Sequence, residues 1–575
     1  MKKKILPGIM AGAVILLAIL ITLIAALVNK YSPSKEVMDL SKYYNISSDK
    51  QVPIVLDYSL QGFAIEEDGE LYLPNETVSD YISSRFYWDH NENILLYATG
   101  DALYSVAANE STYYKDKKAV SYDHVIVKPN SDGCYISISF VSEFVPIKYE
   151  VIDSPKRILL TTDFSDVEVA SIKKKTSVRY EADIKSPILE ALKKSDEVTL
   201  IEKQDRWNKV MTRDGVIGYV EAKRMSAPSS KSLEKVVKEE TFYHDLKDKD
   251  VCLGWHYMEN KTGNAGVANL IASTKGLNVI SPTWFRLSDA NGNVTDLASL
   301  DYVNYCHSQN IEVWALVNDF DTEEYFGEAV LSKTSTRQYL ENQLISKALS
   351  YNLDGLNIDF EKIKESFVDD YLQFIRELAI KCHNNGIRLS VDNYMPAEWN
   401  SYLAFDEQAL FADYVVLMGY DEHWDGSDPG SVSSIGWVKS CVDRALTMVP
   451  EEQVVLAMPF YTRMYKYTPN ANIETSDVVS LETSYKLSSK AYTMTGIDKI
   501  IGTHREEAVW DENAGQYYLE FTDSEKCICM VWLETVESLE GRMKVMDDKK
   551  LGGCAFWRLG QEKKECWDIV IKYLD

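Results

Sequence analysis

Eight short apolar runs recur through the second half of the chain: VCLGWHYM (251–258), LNVISPTWF (277–285), IEVWALVND (311–319), LDGLNIDFE (353–361), RLSVDNYM (388–395), ADYVVLMGYD (412–421), QVVLAMPFY (453–461) and LGGCAFWRL (551–559). Each has the length of a strand and the near-continuous apolarity of one buried on both faces. Between them lie stretches with helical spacing, such as FVDDYLQFIRELAIKCHNN (367–385), where apolar residues fall three and four apart. Repeated βα units of this kind join parallel strands by right-handed crossovers. Eight of them in roughly 320 residues predict an α/β chain with a (β/α)8 TIM barrel over 245–575, although periodicity alone also allows a doubly wound sheet. The seventh and eighth runs stand far enough apart to predict an α+β insertion at about 465–525, before the last strand.

The first half is patterned differently. From Ile5 to Val28 only Pro7, two glycines and Thr22 interrupt the apolar residues. As a helix this run reaches about 36 Å, enough to cross a bilayer. Lys2, Lys3 and Lys4 precede it, so residues 1–30 are expected to be a signal anchor, with the N-terminus inside and everything after Lys30 outside the cell. A cleaved signal peptide, which would leave a secreted protein, is the rival reading. The length of the run and the lack of a clean Ala-x-Ala site following it disfavour it. Residues 31–50 are polar and expected to form a stalk. Within 51–166, the segments 70–89 and 133–151 superpose, Tyr72 on Tyr135, Val78 on Val141, Tyr81 on Phe144 and Phe86 on Tyr149. Each predicts a strand, a short helix and a strand. Residues 175–226 alternate as strands, with a turn at Asp214-Gly215, and predict a small β-barrel module. SAPSSKS (226–232) reads as a linker.

Composition narrows the partners. The 575 residues carry 61 basic and 88 acidic side chains, a net charge of −27, which excludes a nucleic-acid surface. Nine cysteines, an odd count sitting mostly in apolar runs, suit buried thiols better than a disulfide framework. There is no Cys-x-x-Cys or His-Glu-x-x-His, so neither a metal site nor a cofactor is expected.

The chemistry concentrates in Asp354-Gly355-Leu356-Asn357-Ile358-Asp359-Phe360-Glu361. Alternate residues of a strand share a face, so Asn357, Asp359 and Glu361 point one way and Leu356, Ile358 and Phe360 the other. Polar groups aimed into a barrel are costly unless they line a site at the C-terminal end of the strands. Two carboxylates so close repel, which raises the pKa of one and suits it to donate a proton near neutral pH.

This segment resembles the D-G-x-D-x-D-x-E signature of glycoside hydrolase family 18, the chitinase family. Met418-Gly419-Tyr420-Asp421 is similar to the family's M-x-Y-D. Met458-Pro459-Phe460-Tyr461 with Arg463 resembles its M-P-F-Y-x-R, and Gly552-Gly553 with Trp557 its G-G-x-x-x-W. The resemblance spans about 250–570. It implies a retaining, substrate-assisted mechanism in which the protein supplies no nucleophile. Glu361 would be the acid and later the base, and the substrate's own acetamido oxygen would attack the anomeric carbon. Asp359 would orient the acetamido N–H, and Tyr420 would donate to its carbonyl. Trp557 would form the apolar floor, and Asp421 would bind sugar hydroxyls. Asn357, Met418 and Tyr461 would complete the substrate-binding set.

Asn357 departs from the aspartate of chitinases, which puts in question how Asp359 is tuned. WALVND on the third strand likewise replaces S-x-G-G. With ISPTWF, PFYTR and VWLE, Asn357 instead resembles the branch of spore-cortex-lytic peptidoglycan N-acetylglucosaminidases. The 51–166 repeats resemble the module named after the copper amine oxidase N-terminal region. Residues 175–226 resemble bacterial Src-homology-3-type modules, which implies cell-wall peptides as partners there.

Ten of the twelve tryptophans follow residue 250, and Trp255, Trp284, Trp399 and Trp424 fall at or just after strand ends. Glu534, in VWLE, reads equally as a site residue or a buried ion-pair partner. The whole reads as a membrane-anchored, extracellular, monomeric glycosidase. Its substrate would be a β-1,4-linked N-acetylglucosamine glycan, peptidoglycan or chitin oligomers. A non-catalytic glycan-binding protein and a chitinase are the alternatives.

Overall fold

The computed structural model describes residues 5–320, 325–469 and 485–574. Lys2, Lys3 and Lys4, and residues 470–484 of the predicted insertion, lie outside the described residues. The helix Ile5–Tyr31 opens the chain, and its stretch Ile9–Tyr31 is long and apolar enough to cross a membrane. The chain divides into two compact units. One comprises Met1–Trp88, Val106–Tyr113 and Ala119–Glu239, and the other Asp89–Ser105, Tyr114–Lys118 and Glu240–Asp575.

The first unit holds two seven-stranded sheets. In one, the superposable segments place strand Glu70–Pro74 before helix Asn75–Tyr81, and strand Cys134–Ser137 before helix Ile138–Phe144. In the other, Trp207–Met211 pairs antiparallel with Ile217–Glu221. Gly215 turns the chain between them at φ 79°, a conformation that a side chain strains. Two segments are more ordered than their polarity predicts. Residues 31–50 contain the helix Leu40–Tyr43, and Tyr44 is buried with its hydroxyl donating to the Gly215 carbonyl at 3.1 Å. The linker contributes Ser229–Lys231, which pairs with Val167–Ser171. Edge pairing uses main-chain groups and leaves no side-chain signature.

The second unit is the barrel. Its strands are β1 (Val251–His256), β2 (Val279–Pro282), β3 (Glu312–Asn318), β4 (Gly355–Asp359), β5 (Arg388–Tyr394), β6 (Tyr414–Met418), β7 (Val454–Pro459) and β8 (Gly553–Trp557). Each falls inside one of the eight apolar runs. All pairings are parallel, and β1–β8 and β2–β3 contacts close the ring. Outward residues such as Val313, Ile358, Val391 and Leu417 pack in the core that also holds helix residues such as Leu378. Inward residues Val251, Leu253, Trp255, Trp314, Leu316, Tyr414, Val416 and Val455 fill the interior as a packed plug. A side chain at Gly355 would meet the Trp314 ring at 2.7 Å, so glycine there lets that indole fill the barrel. All nine cysteines are buried and unbridged. After β7, strands Tyr461–Pro469, Tyr485–Thr493, Val509–Asp511, Gln516–Thr522 and Ile528–Leu533 form a separate five-stranded sheet, with helix Met494–Ile501, before the chain returns to β8.

Candidate active site

Above the apolar plug the inward positions turn polar. β4 brings Asn357 into the barrel, then Asp359, with Glu361 just past the strand end. Asn357 is fully buried and makes four hydrogen bonds. Its Oδ1 accepts from Trp255 Nε1 at 2.8 Å and Ser281 Oγ at 3.0 Å, and its Nδ2 donates to Ser390 Oγ at 3.0 Å and Asp392 Oδ1 at 2.7 Å. The indole can only donate, which fixes the amide's orientation. Asn357 thus ties β1, β2 and β5 to β4 beneath the cavity.

The cavity, about 300 Å³, opens at the C-terminal ends of the strands. Asp359, Glu361, Met418, Tyr420, Asp421 and Trp557 line it together. Asp359 is 5% exposed, and Glu361 is half-buried. The Glu361 carboxylate accepts from the Tyr394 hydroxyl, and its backbone N–H donates to Asp319 Oδ1 at 3.1 Å. Burial pushes the Asp319 carboxyl up to about 6, against the opposing pull of that N–H. Tyr420 is held well above the ordinary phenol value by burial first and then by Asp359 and Asp392, so it stays a neutral donor. Trp557 stands 5.8 Å, centroid to centroid, from Trp255.

Two of the sequence-predicted site residues stand behind the cavity wall. Asn357 lies beneath it. Tyr461 is buried, its ring 6.3 Å from that of Tyr420, and its hydroxyl donates to Asp421 Oδ1 at 2.5 Å. Asp421 itself has φ 57°, a left-handed backbone at the strand end.

Glu534 resolves as structural: it is buried, pairs with Arg542 and accepts from Gln516 at 3.0 Å and Ser538 at 2.6 Å. Trp284 is buried, whereas Trp399 and Trp424 are 62% and 55% exposed. The Trp399 ring lies 5.8 Å from that of Tyr394 and flanks Glu361 in a shallow pocket. His256, against Tyr302, is lowered to about 4 by burial and then by Arg558.

The structure adds Asp392, Asp319, Tyr394 and Arg286, which sequence reasoning passed over. Ser390, Asp392 and Tyr394 share one face of SVDNYM by simple alternation, and that polar triplet was the available signal. Among the described residues, Asp523, Glu525 and Cys527 stand close enough to hold an ion, but Lys466 already pairs with both carboxylates at 2.8 and 3.0 Å. The arrangement combines a half-buried acid, a second carboxylate, a neutral phenol and an indole around one cavity.

Residues 255–562 match the family model of glycosyl hydrolases family 18. The chain is 22% identical over 309 residues to the uncharacterized glycosylase YvbX of Bacillus subtilis (strain 168), covering 52% of this chain and 84% of that protein. It is 22% identical over 272 residues to the cortical fragment-lytic enzyme of the same organism, covering 46% of this chain and 60% of that enzyme. The solved structure of the spore cortex-lytic enzyme SleL of Bacillus megaterium QM B1551 aligns with a TM-score of 0.48 at 16% identity, over 60% of this chain and 77% of that one.

Proposed function

Since the chain belongs to glycosyl hydrolases family 18, we propose that it is a retaining, substrate-assisted glycoside hydrolase that cleaves β-1,4-linked N-acetylglucosamine glycans, peptidoglycan above all, at the cell surface. The observation that carries this reading is the convergence of Glu361, Asp359 and Tyr420 on one cavity beside Trp557.

Glu361 protonates the glycosidic oxygen while the substrate's acetamido oxygen attacks the anomeric carbon from the opposite face. The bond to the leaving sugar breaks and an oxazolinium forms. Glu361 then takes a proton from the water that opens it. Asp359 orients the acetamido N–H and balances the developing positive charge. Tyr420, kept neutral, donates to the acetamido oxygen. Trp557 carries the apolar face of the sugar, with Met418 at the wall, and Asp421 takes its hydroxyls. Tyr461 acts through Asp421, and Asn357 acts through the network beneath Asp359.

The cortical fragment-lytic enzyme among the relatives favours a wall glycan over chitin. On this reading the apolar helix anchors the chain with the barrel outside. The repeats of 51–166 and the Src-homology-3-type module of 175–226 hold it at the wall, the latter through wall peptides.

The mechanism is tested by proton NMR of the detergent-solubilised full chain acting on a chito-oligosaccharide. The first product should be the β-anomer, and a thiazoline mimic of the oxazolinium should inhibit. An α-anomer as first product would contradict retention. Binding without any product would favour a glycan-binding protein.

A further inference from the structure

The cavity contains a second buried carboxyl that the mechanism above does not use. Asp392, on β5, is 4% exposed and lines the same cavity as Asp359 and Glu361. Register explains its position. β4 and β5 pair Asn357 with Ser390 and Ile358 with Val391, so the next step sets Asp359 beside Asp392. Neighbouring residues of parallel strands lie about 5 Å apart and point to the same face. The hydrogen bond from Asn357 Nδ2 to Asp392 Oδ1 at 2.7 Å fixes the Asp392 carboxyl on the inward side.

Two carboxylates side by side in a buried pocket cannot both ionise without a large penalty. The groups facing Asp392 are Asp359 and Glu361 from β4 and its end, and Tyr394 from its own strand. Tyr371 faces it from the helix Val368–His383, and Tyr420 from the loop after β6. Arg286 lines the same cavity. Burial drives the Asp392 carboxyl well above the usual range, the Asn357 hydrogen bond opposes this, and the Glu361 charge adds to it.

We propose that Asp359 and Asp392 hold one proton between them, carried on Asp392, and that Asp392 is the positioning residue that keeps Asp359 an anion turned toward the sugar. This rests on the reading of the site as a family 18 active site. The asparagine at 357 then has a physical sense. A carboxylate there would crowd a third charge into the pair, whereas the amide donates to Asp392 and leaves its other oxygen to share the proton.

Two measurements on the full chain test this, one of them independent of turnover. In an infrared difference spectrum at neutral pH, wild type minus Asp392→Asn, a protonated carboxyl stretch should be present in the wild type and lost in the variant. Its absence would overturn the proposal even if no glycan is cleaved. In the pH profile of kcat/KM on a chito-oligosaccharide, Asp392→Asn should move the acidic limb up by about one pH unit, because Asp359 loses the partner that favours its anion. Asn357→Asp/Asp392→Asn, which returns a carboxyl to the other side of Asp359, should bring the limb back. A uniform loss of activity with the limb unmoved, or a double variant no different from the single one, would reduce Asp392 to a structural role. No cleavage by wild type with the infrared band present would instead sink the proposed function and leave the shared proton standing.

Discussion

The hydroxyl of Tyr394 donates to the carboxylate of Glu361 across the β4–β5 boundary. A donor to a carboxylate favours the ionised form, so this bond works against the acid role and suits the base role. Tyr394→Phe should therefore extend activity to higher pH, with the alkaline limb of kcat moving up. A pH–rate profile checks this, and a limb that stays put or moves down would remove Tyr394 from the proton cycle.

Asp319 ties Glu361 to β3 through a buried carboxyl raised to about 6 from 3.8. The sign follows from proton counts. Between about 4 and 6 the folded protein keeps a proton that the unfolded chain has released, so stability is greatest below that window and falls as pH rises through it. The loss is on the order of 3 kcal/mol. Asp319→Asn should flatten this slope in denaturant unfolding across that range. An unchanged slope would contradict the assignment.

Trp557 offers the flat apolar face beneath the proposed sugar. Trp557→Ala should lower kcat/KM by one to two orders of magnitude, about 1.4–2.8 kcal/mol, while far-ultraviolet circular dichroism stays the same. Activity within twofold of wild type would mean that the sugar rests elsewhere.

Gly355 is predicted to be intolerant for a reason remote from chemistry. The Cβ of Gly355→Ala would fall 2.7 Å from the Trp314 ring and 3.1 Å from the Arg388 carbonyl. Overpacking of this kind costs about 1–3 kcal/mol, visible as a lowered thermal midpoint. No shift would mean that the plug is looser than its packing implies.

These predictions draw unequally on the sequence. The eight strands were legible because strands buried on both faces leave unbroken apolar runs. Glu361, Asp359 and Tyr420 were legible because each sits in a motif within a single strand and its end. Asp392, Asp319 and Tyr394 were harder to place, since Asp392 and Tyr394 reach the cavity, and Asp319 the Glu361 backbone, from neighbouring strands, and only the register of parallel pairing brings them beside Asp359 and Glu361. The same register places Asn357 under the floor, with its amide engaged in four directions. Asp89–Ser105 groups with the barrel unit, where Asp89 accepts from Thr334 at 2.6 Å, a contact that no local pattern announces.

The most direct test of the glycosidase reading is to digest purified peptidoglycan with the detergent-solubilised full chain and with its Glu361→Gln variant, then reduce the soluble muropeptides and identify them by mass spectrometry. The account predicts new reducing ends at N-acetylglucosamine, with release falling by about two to four orders of magnitude in the variant. Equal release by both proteins, or new ends at the other sugar of the wall glycan, would contradict it.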